Sequence, residues 1–256
     1  MIGVFDSGIG GLAVLRQIRA QMPSADLLYL ADRGRAPYGT RSLAEVEQIS
    51  VEIGEWLVGR GATTLVVACN TASAAALETM RSSFDGLPIV GMEPAVKPAA
   101  ARTRSGVIAV FATAATFQGR LFESVVSRHG EGVRVVARAC PQWVELVESG
   151  LVAGEEAEEA VAAPLEEARG EGADVAVLGC THFSFLAPLL GALGGEELTV
   201  IDPAPAVAAQ TARVARESHG EGTLQFATSG DPARLVSLAA GVAGVSASLP
   251  VVEYRG

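Results

Sequence analysis

The sequence predicts an α/β fold made of two related lobes, each a mostly parallel sheet flanked by helices, and three observations carry that reading. Short apolar runs of strand length alternate with helix-length segments from end to end, as parallel strands joined by crossover helices require. One stretch is echoed further along the chain. Ala62-Thr63-Thr64-Leu65-Val66-Val67-Ala68-Cys69-Asn70-Thr71 matches Ala173-Asp174-Val175-Ala176-Val177-Leu178-Gly179-Cys180-Thr181-His182 in kind, at an offset of about 111 residues, each an apolar strand ending in cysteine and then polar residues. A fainter echo at similar offset links residues 2–8 with residues 107–113. Third, 49% apolar and 19% charged residues over 256 positions give ample core and exclude disorder.

In chain order, strands are expected at 2–5, 27–31, 64–68, 89–91, 106–111, 133–137, 173–178, 199–201 and 223–227, where β-branched and other apolar residues cluster. Helices fill the gaps. Residues 43–58 place Val46, Ile49, Ile53, Trp56 and Leu57 on one stripe, and residues 155–168 are acidic near their start, as the helix dipole prefers. Ligands of open α/β folds bind beyond the carboxyl ends of the strands, so the cleft between the two lobes is the expected active site.

Composition removes several classes of function. The charge balance, 19 basic against 29 acidic residues, gives a net charge of −10 without a basic cluster, so nucleic acid is not expected as a primary partner. No apolar run approaches the roughly 20 residues of a membrane span, and residues 1–30 carry Asp6, Arg16, Arg19 and a glycine-rich loop instead of a signal peptide. A cytoplasmic protein is expected. Lys97 is the only lysine, and it lies between prolines in Glu93-Pro94-Ala95-Val96-Lys97-Pro98; a P-loop is therefore absent, and a pyridoxal enzyme would have only this residue for its Schiff base. Three cysteines and three histidines, all dispersed, form no zinc-ligand spacing, so no metal is expected. Reduced thiols suit the odd cysteine count.

Cys69 and Cys180 each follow an apolar strand and precede a helical segment, so each thiol should face a helix amino end. A free thiol titrates at about 8.5, and a helix terminus can supply up to about 2 kcal/mol, enough to bring it to about 7. Two thiols in one cleft should share a proton, one member acting as base and the other as acid. That pairing suits inversion at carbon, where one group removes a proton from one face while another returns one to the opposite face. The competing reading, two small apolar core residues, is weakened by their matched contexts. Cys140, in Ala139-Cys140-Pro141, has no such twin and is read as structural.

Asp6-Ser7-Gly8-Ile9-Gly10-Gly11 follows the first strand and opens a helix. With Ala13 it also fits a dinucleotide fingerprint, with Asp32 at the ribose position, although Asp6 would then sit unfavourably beside a pyrophosphate. Backbone N–H groups around Pro37-Tyr38-Gly39-Thr40 could take a carboxylate, with Arg33, Arg35 and Arg41 nearby. Asn70, Thr71, Thr113, Thr116 and Thr181 are neutral donors at strand ends, and His182 and Glu148 become candidates through the adjacent cysteine.

Gly3-Val4-Phe5-Asp6-Ser7-Gly8-Ile9-Gly10-Gly11-Leu12, Pro37-Tyr38-Gly39, Ala68-Cys69-Asn70-Thr71 and Gly179-Cys180-Thr181-His182 together resemble glutamate racemase, with weaker support from Glu93-Pro94-Ala95-Val96-Lys97, Cys140-Pro141 and Thr228-Ser229-Gly230-Asp231. The resemblance spans nearly the whole chain. It implies a cofactor-independent isomerase that interconverts L- and D-glutamate and supplies the D-isomer for peptidoglycan. It also implies two lobes, residues 1–93 with 206–256 and residues 94–205. By position, Cys69 becomes the base toward D-glutamate, assisted by Asp6, and Cys180 the base toward L-glutamate, assisted by His182 and Glu148. Asp6, Ser7, Tyr38, Gly39, Asn70, Thr71, Thr113, Thr116, Thr181 and His182 would bind substrate. Ala31-Asp32-Arg33-Gly34-Arg35-Ala36-Pro37 departs from the usual family pattern, as does Trp143. Aspartate or hydantoin racemase and a non-catalytic amino-acid or partner-binding protein are the alternatives, and a homodimer is compatible with the sequence.

Overall fold

The structure, a computed structural model, describes residues 1–215, 220–245 and 251–255. The remaining positions of the expected segment 206–256 lie outside the described residues. Ten strands appear among the described residues: β1 (Ile2–Asp6), β2 (Leu27–Ala31), β3 (Thr64–Val67), β4 (Ile89–Gly91), β5 (Val107–Ala112), β6 (Arg134–Ala139), β7 (Val175–Leu178), β8 (Thr199–Ile201), β9 (Leu224–Thr228) and β10 (Val251–Glu253). They form a six-stranded sheet, β10-β9-β2-β1-β3-β4, and a four-stranded sheet, β6-β5-β7-β8. Every pairing is parallel.

The order β2-β1-β3-β4 in the first sheet is repeated as β6-β5-β7-β8 in the second. The internal echo therefore has a topological counterpart, with β1 and β5 central and β3 and β7 each beside them. Strands buried on both faces read as unbroken apolar runs, and β1, β2, β3 and β7 are buried throughout. In β1 the side chains alternate: Ile2 and Val4 join Leu12, Leu15 and Ile18 of the helix Leu12–Gln21, whereas Phe5 joins Val46, Ile53 and Leu57 of the helix Leu43–Gly59. Each fully buried side chain of this size contributes about 1.5–3 kcal/mol.

The helix Leu43–Gly59 begins one residue after Ser42, whose hydroxyl accepts from the Glu45 N–H while the Glu45 carboxylate accepts from the Ser42 N–H. Three features differ from the sequence expectation. β7 starts at Val175 because Ala173 closes the preceding helix, its N–H donating to the Ala168 carbonyl. β10 was not anticipated, being three residues long with no fully buried member. The segment after Cys180 is a 3-10 helix, Thr181–Leu186, before the α-helix Ala187–Gly194. Trp143 is fully buried, stacked on Phe111 with ring centroids 5.0 Å apart, and its indole N–H donates to the Ala160 carbonyl, which accounts for its place in the sequence. No helix among the described residues is long and apolar enough to cross a membrane.

Candidate active site

The carboxyl ends of the central strands deliver the candidate residues. Asp6 closes β1, Cys69 caps the helix Asn70–Ser83 just beyond β3, and Cys180 stands beyond β7 in the equivalent position of the second sheet. Both thiols are almost entirely buried, 6% and 7% exposed.

Their immediate partners differ. Cys69 donates its S–H to Ser7 Oγ at 3.9 Å and accepts from the Ala72 N–H at 3.5 Å. Cys180 Sγ faces His182 Nδ1 at 3.8 Å, and His182 Nε2 lies 2.8 Å from Glu148 Oε1. Glu148 sits in the last turn of the helix Pro141–Ser149, which stops where Gly150 takes a left-handed conformation, φ 87°. The same carboxylate oxygen accepts from the Ile9 N–H at 2.8 Å, and the other oxygen takes Arg33 at 3.1 Å. Asp6 accepts from the Gly8 N–H and from the Thr181 hydroxyl, each at 2.9 Å.

The glycine-rich loop has a different purpose from a phosphate cradle. A β-carbon on Gly8 would fall inside the Glu148 carboxylate, and one on Gly10 would collide with His182 and Thr181. These glycines let a loop of the first sheet press against side chains of the second. Asp32, the would-be ribose acid, is fully buried and already accepts hydrogen bonds from Tyr38, Arg35 and Ser229. The dinucleotide alternative therefore loses its anchor.

Burial and charge set the proton affinities. The sequence expectation that helix amino ends lower both thiols is corrected at Cys69, which is pushed up to about 12. Burial is the largest cause, the Asp6 charge adds to it, and the Ala72 N–H only partly offsets them; the Cys180 charge raises it further. Cys180 makes no cap hydrogen bond to the helical backbone, and its sulfur faces the His182 imidazole. Burial alone would lower His182, but its hydrogen bonds with Cys180 and Glu148, and the charge of Asp6, hold it well above the ordinary imidazole range. Glu148 is opposed by burial yet held down at about 2 by His182, the Ile9 N–H and Arg33. Asp6 is raised by burial, partly offset by His182.

The neutral donors also gather here. Thr113 Oγ1 lies 3.0 Å from Thr71 Oγ1 and 2.9 Å from Thr116 Oγ1, joining the end of β5 to the helix after Cys69. Gly39 packs against Thr113 so closely that a β-carbon there would lie 3.1 Å from the threonine side chain. Tyr38 is buried with its hydroxyl committed to Asp32, so what it can offer a ligand is backbone. Asn70 is 3% exposed, and neither its amide nitrogen nor its oxygen has a hydrogen-bond partner. A buried polar side chain with both ends unpaired points to a ligand. Cys140 is buried, with its S–H directed at the Arg138 carbonyl 3.9 Å away. Sequence reasoning missed Arg33 as a partner of Glu148; only its closeness to the Pro37 loop had drawn attention.

The candidate residues lie at the carboxyl ends of two matched parallel sheets, and the comparisons with known proteins place the chain among amino-acid racemases. Residues 4–211 match the family model described as Asp/Glu/Hydantoin racemase, and the chain belongs to that family. A glutamate racemase of Roseiflexus sp. (strain RS-1) is 47% identical over 244 residues, covering 93% of this chain and 90% of the relative. Among solved structures, glutamate racemase RacE1 from Bacillus anthracis superposes with a TM-score of 0.89 at 30% identity, covering 100% of this chain and 97% of that one. Escherichia coli glutamate racemase, in complex with L-glutamate and the activator UDP-MurNAc-ala, gives a TM-score of 0.86 at 29% identity over 98% of this chain and 96% of that one.

Proposed function

We propose that this chain is a cofactor-independent glutamate racemase that interconverts L- and D-glutamate by two-thiol proton transfer and supplies D-glutamate for peptidoglycan in the cytoplasm. The observation that carries the reading is the pair of thiols at equivalent ends of β3 and β7, Cys180 facing the His182–Glu148 pair and Cys69 within the field of the Asp6 charge. Relatives with the glutamate racemase name at 47% identity support the substrate, and the arrangement of side chains supports the chemistry.

Cys180 takes the α-hydrogen of L-glutamate onto its sulfur, and the His182–Glu148 pair beside it orients and electrostatically supports that sulfur as the base. Cys69, which burial and Asp6 keep protonated at neutral pH, gives its proton to the opposite face. In the reverse direction Cys69 is the base and Asp6 is the group we assign to assist it. The amides and hydroxyls of Ser7, Asn70, Thr71, Thr113, Thr116 and Thr181, with the backbone at Tyr38 and Gly39, hold the substrate's ends. Direct proton transfer between sulfur and carbon requires neither metal nor cofactor. With both thiols buried, admission of glutamate requires the lobes 1–93 with 206–256 and 94–205 to part, breaking contacts such as Thr71–Thr113 and Ile9–Glu148. Assembly as a homodimer belongs to the same reading.

Purified protein, without added cofactor, should convert L-glutamate to an equal mixture of enantiomers, followed by circular dichroism, and leave L-aspartate unchanged. Turnover of aspartate in place of glutamate, or activity only with added nicotinamide or flavin, would overturn the proposal.

A further inference from the structure

The side-chain hydrogen bonds of Arg33 run to Glu148, which is not among the residues assigned to substrate, and its setting is built around it. It lies in the loop after β2, which is clamped to the end of β9: the Gly34 N–H donates to Ser229 Oγ at 2.9 Å, and Ser229 donates in turn to buried Asp32. Gly230 leaves room for it, since a β-carbon there would sit 2.9 Å from that of Arg33. From this anchored backbone, Nε and Nη2 both reach Glu148 Oε2 at 3.1 Å. The opposite oxygen is held by the Ile9 N–H and His182 Nε2, so both oxygens of the carboxylate are fixed and its plane is set. His182 Nδ1 then faces Cys180 at 3.8 Å. The two side chains of the ion pair are only 16% and 21% exposed, which shields them from solvent screening. Cys69 has no counterpart to this arrangement; its hydrogen-bond partners are the Ser7 hydroxyl and the Ala72 N–H.

We infer that Arg33 is a positioning residue for proton transfer at Cys180: by holding Glu148 Oε2 it keeps His182 aimed at that sulfur, while the transfer at Cys69 proceeds without it. The inference rests on the racemase reading above and deepens it, because it makes one of the two transfers selectively sensitive to a residue outside the set assigned to substrate.

Arg33→Gln and Arg33→Lys are compared with the unaltered protein, using L- and D-glutamate deuterated at the α-carbon. Cys180 removes the α-hydrogen of the L-isomer and Cys69 that of the D-isomer. Arg33→Gln should lower kcat/KM roughly tenfold in both directions, the size of one lost charge-assisted hydrogen bond. The isotope effect should rise with the deuterated L-isomer and fall with the D-isomer, because the Cys180 step becomes more limiting. Arg33→Lys, which keeps the charge but loses the fork, should recover most of the rate and shift both isotope effects by less in the same sense; it carries the test alone if the glutamine variant does not fold. Unchanged isotope effects in either variant, with KM raised equally for both isomers or with no loss of rate, would overturn the inference. An unaltered protein inert toward glutamate would remove the racemase reading itself.

Discussion

Cys69 and Cys180 occupy matching positions in matching sheets, but their surroundings have opposite electrical character. Cys69 is pushed up to about 12, first by burial and then by the charge of the buried Asp6 carboxylate. Cys180 lies beside an imidazole held well above its ordinary range by its hydrogen bonds with Cys180 and Glu148, the latter in turn bonded by Arg33. The partners also cross between sheets: Asp6 of the first bonds Thr181 of the second, and Glu148 of the second bonds Ile9 and Arg33 of the first. A repeated backbone supplies two thiols at equivalent strand ends, and the side chains that do not repeat give Cys69 the charge of a buried carboxylate and Cys180 an imidazole for a neighbour.

The most severe way to break the comparison is to remove either sulfur. Cys69→Ala and Cys180→Ala should each cut racemisation by at least about 10³-fold, the scale of general acid–base catalysis, with thermal melts close to the parent. A Cys180→Ala protein that still interconverts both isomers would end the two-thiol account. Next in size, His182→Asn should cost about 10²-fold and raise the isotope effect for the deuterated L-isomer, whereas Asp6→Asn should raise it for the D-isomer. Identical isotope patterns in these two variants would mean the surroundings are not divided as described.

Asp6→Asn also removes a charge that raises Cys69, so the alkylation rate of Cys69 by iodoacetamide should reach half its maximum at lower pH than in the parent. No change in that midpoint would mean burial alone sets the thiol. The smallest effects concern stability. Glu148 is held at about 2 against an ordinary 4.5, so its contribution is present above about 4.5 and lost as pH falls toward 2; Glu148→Gln should flatten that part of an acid titration monitored by urea unfolding. Cys69 is raised from the ordinary thiol range to about 12, as is the structural Cys140, so both stabilise below that range and lose the contribution as pH rises toward 12. Cys140→Ala should reduce the alkaline loss without altering the acid limb.

Much of the fold was legible because parallel strands buried on both faces must be apolar, and β1, β2, β3 and β7 announce themselves in that way. β10 was not, since an edge strand of three partly exposed residues carries no such signature. The two thiols could be paired because their strands end alike. Other parts of the site depend on residues remote in sequence: Gly8 and Gly10 resemble a phosphate loop until Glu148 and His182 are seen filling the space above them. Asp32 resembles a ribose ligand until Tyr38, Arg35 and Ser229 are seen around it. The direction of the Cys69 shift was misjudged for the same reason. A helix amino end is visible in sequence, whereas the depth of burial and the distance to Asp6 arise only from packing.

The central claim is that two sulfurs address one carbon from opposite faces. Its most direct test runs the reaction in deuterium oxide from L-glutamate and examines both isomers at low conversion by mass spectrometry after chiral separation. The account predicts deuterium at the α-carbon of newly formed D-glutamate while the unreacted L-glutamate keeps its protium. Product that retains the substrate's own hydrogen, or equal labelling of both isomers from the start, would contradict it.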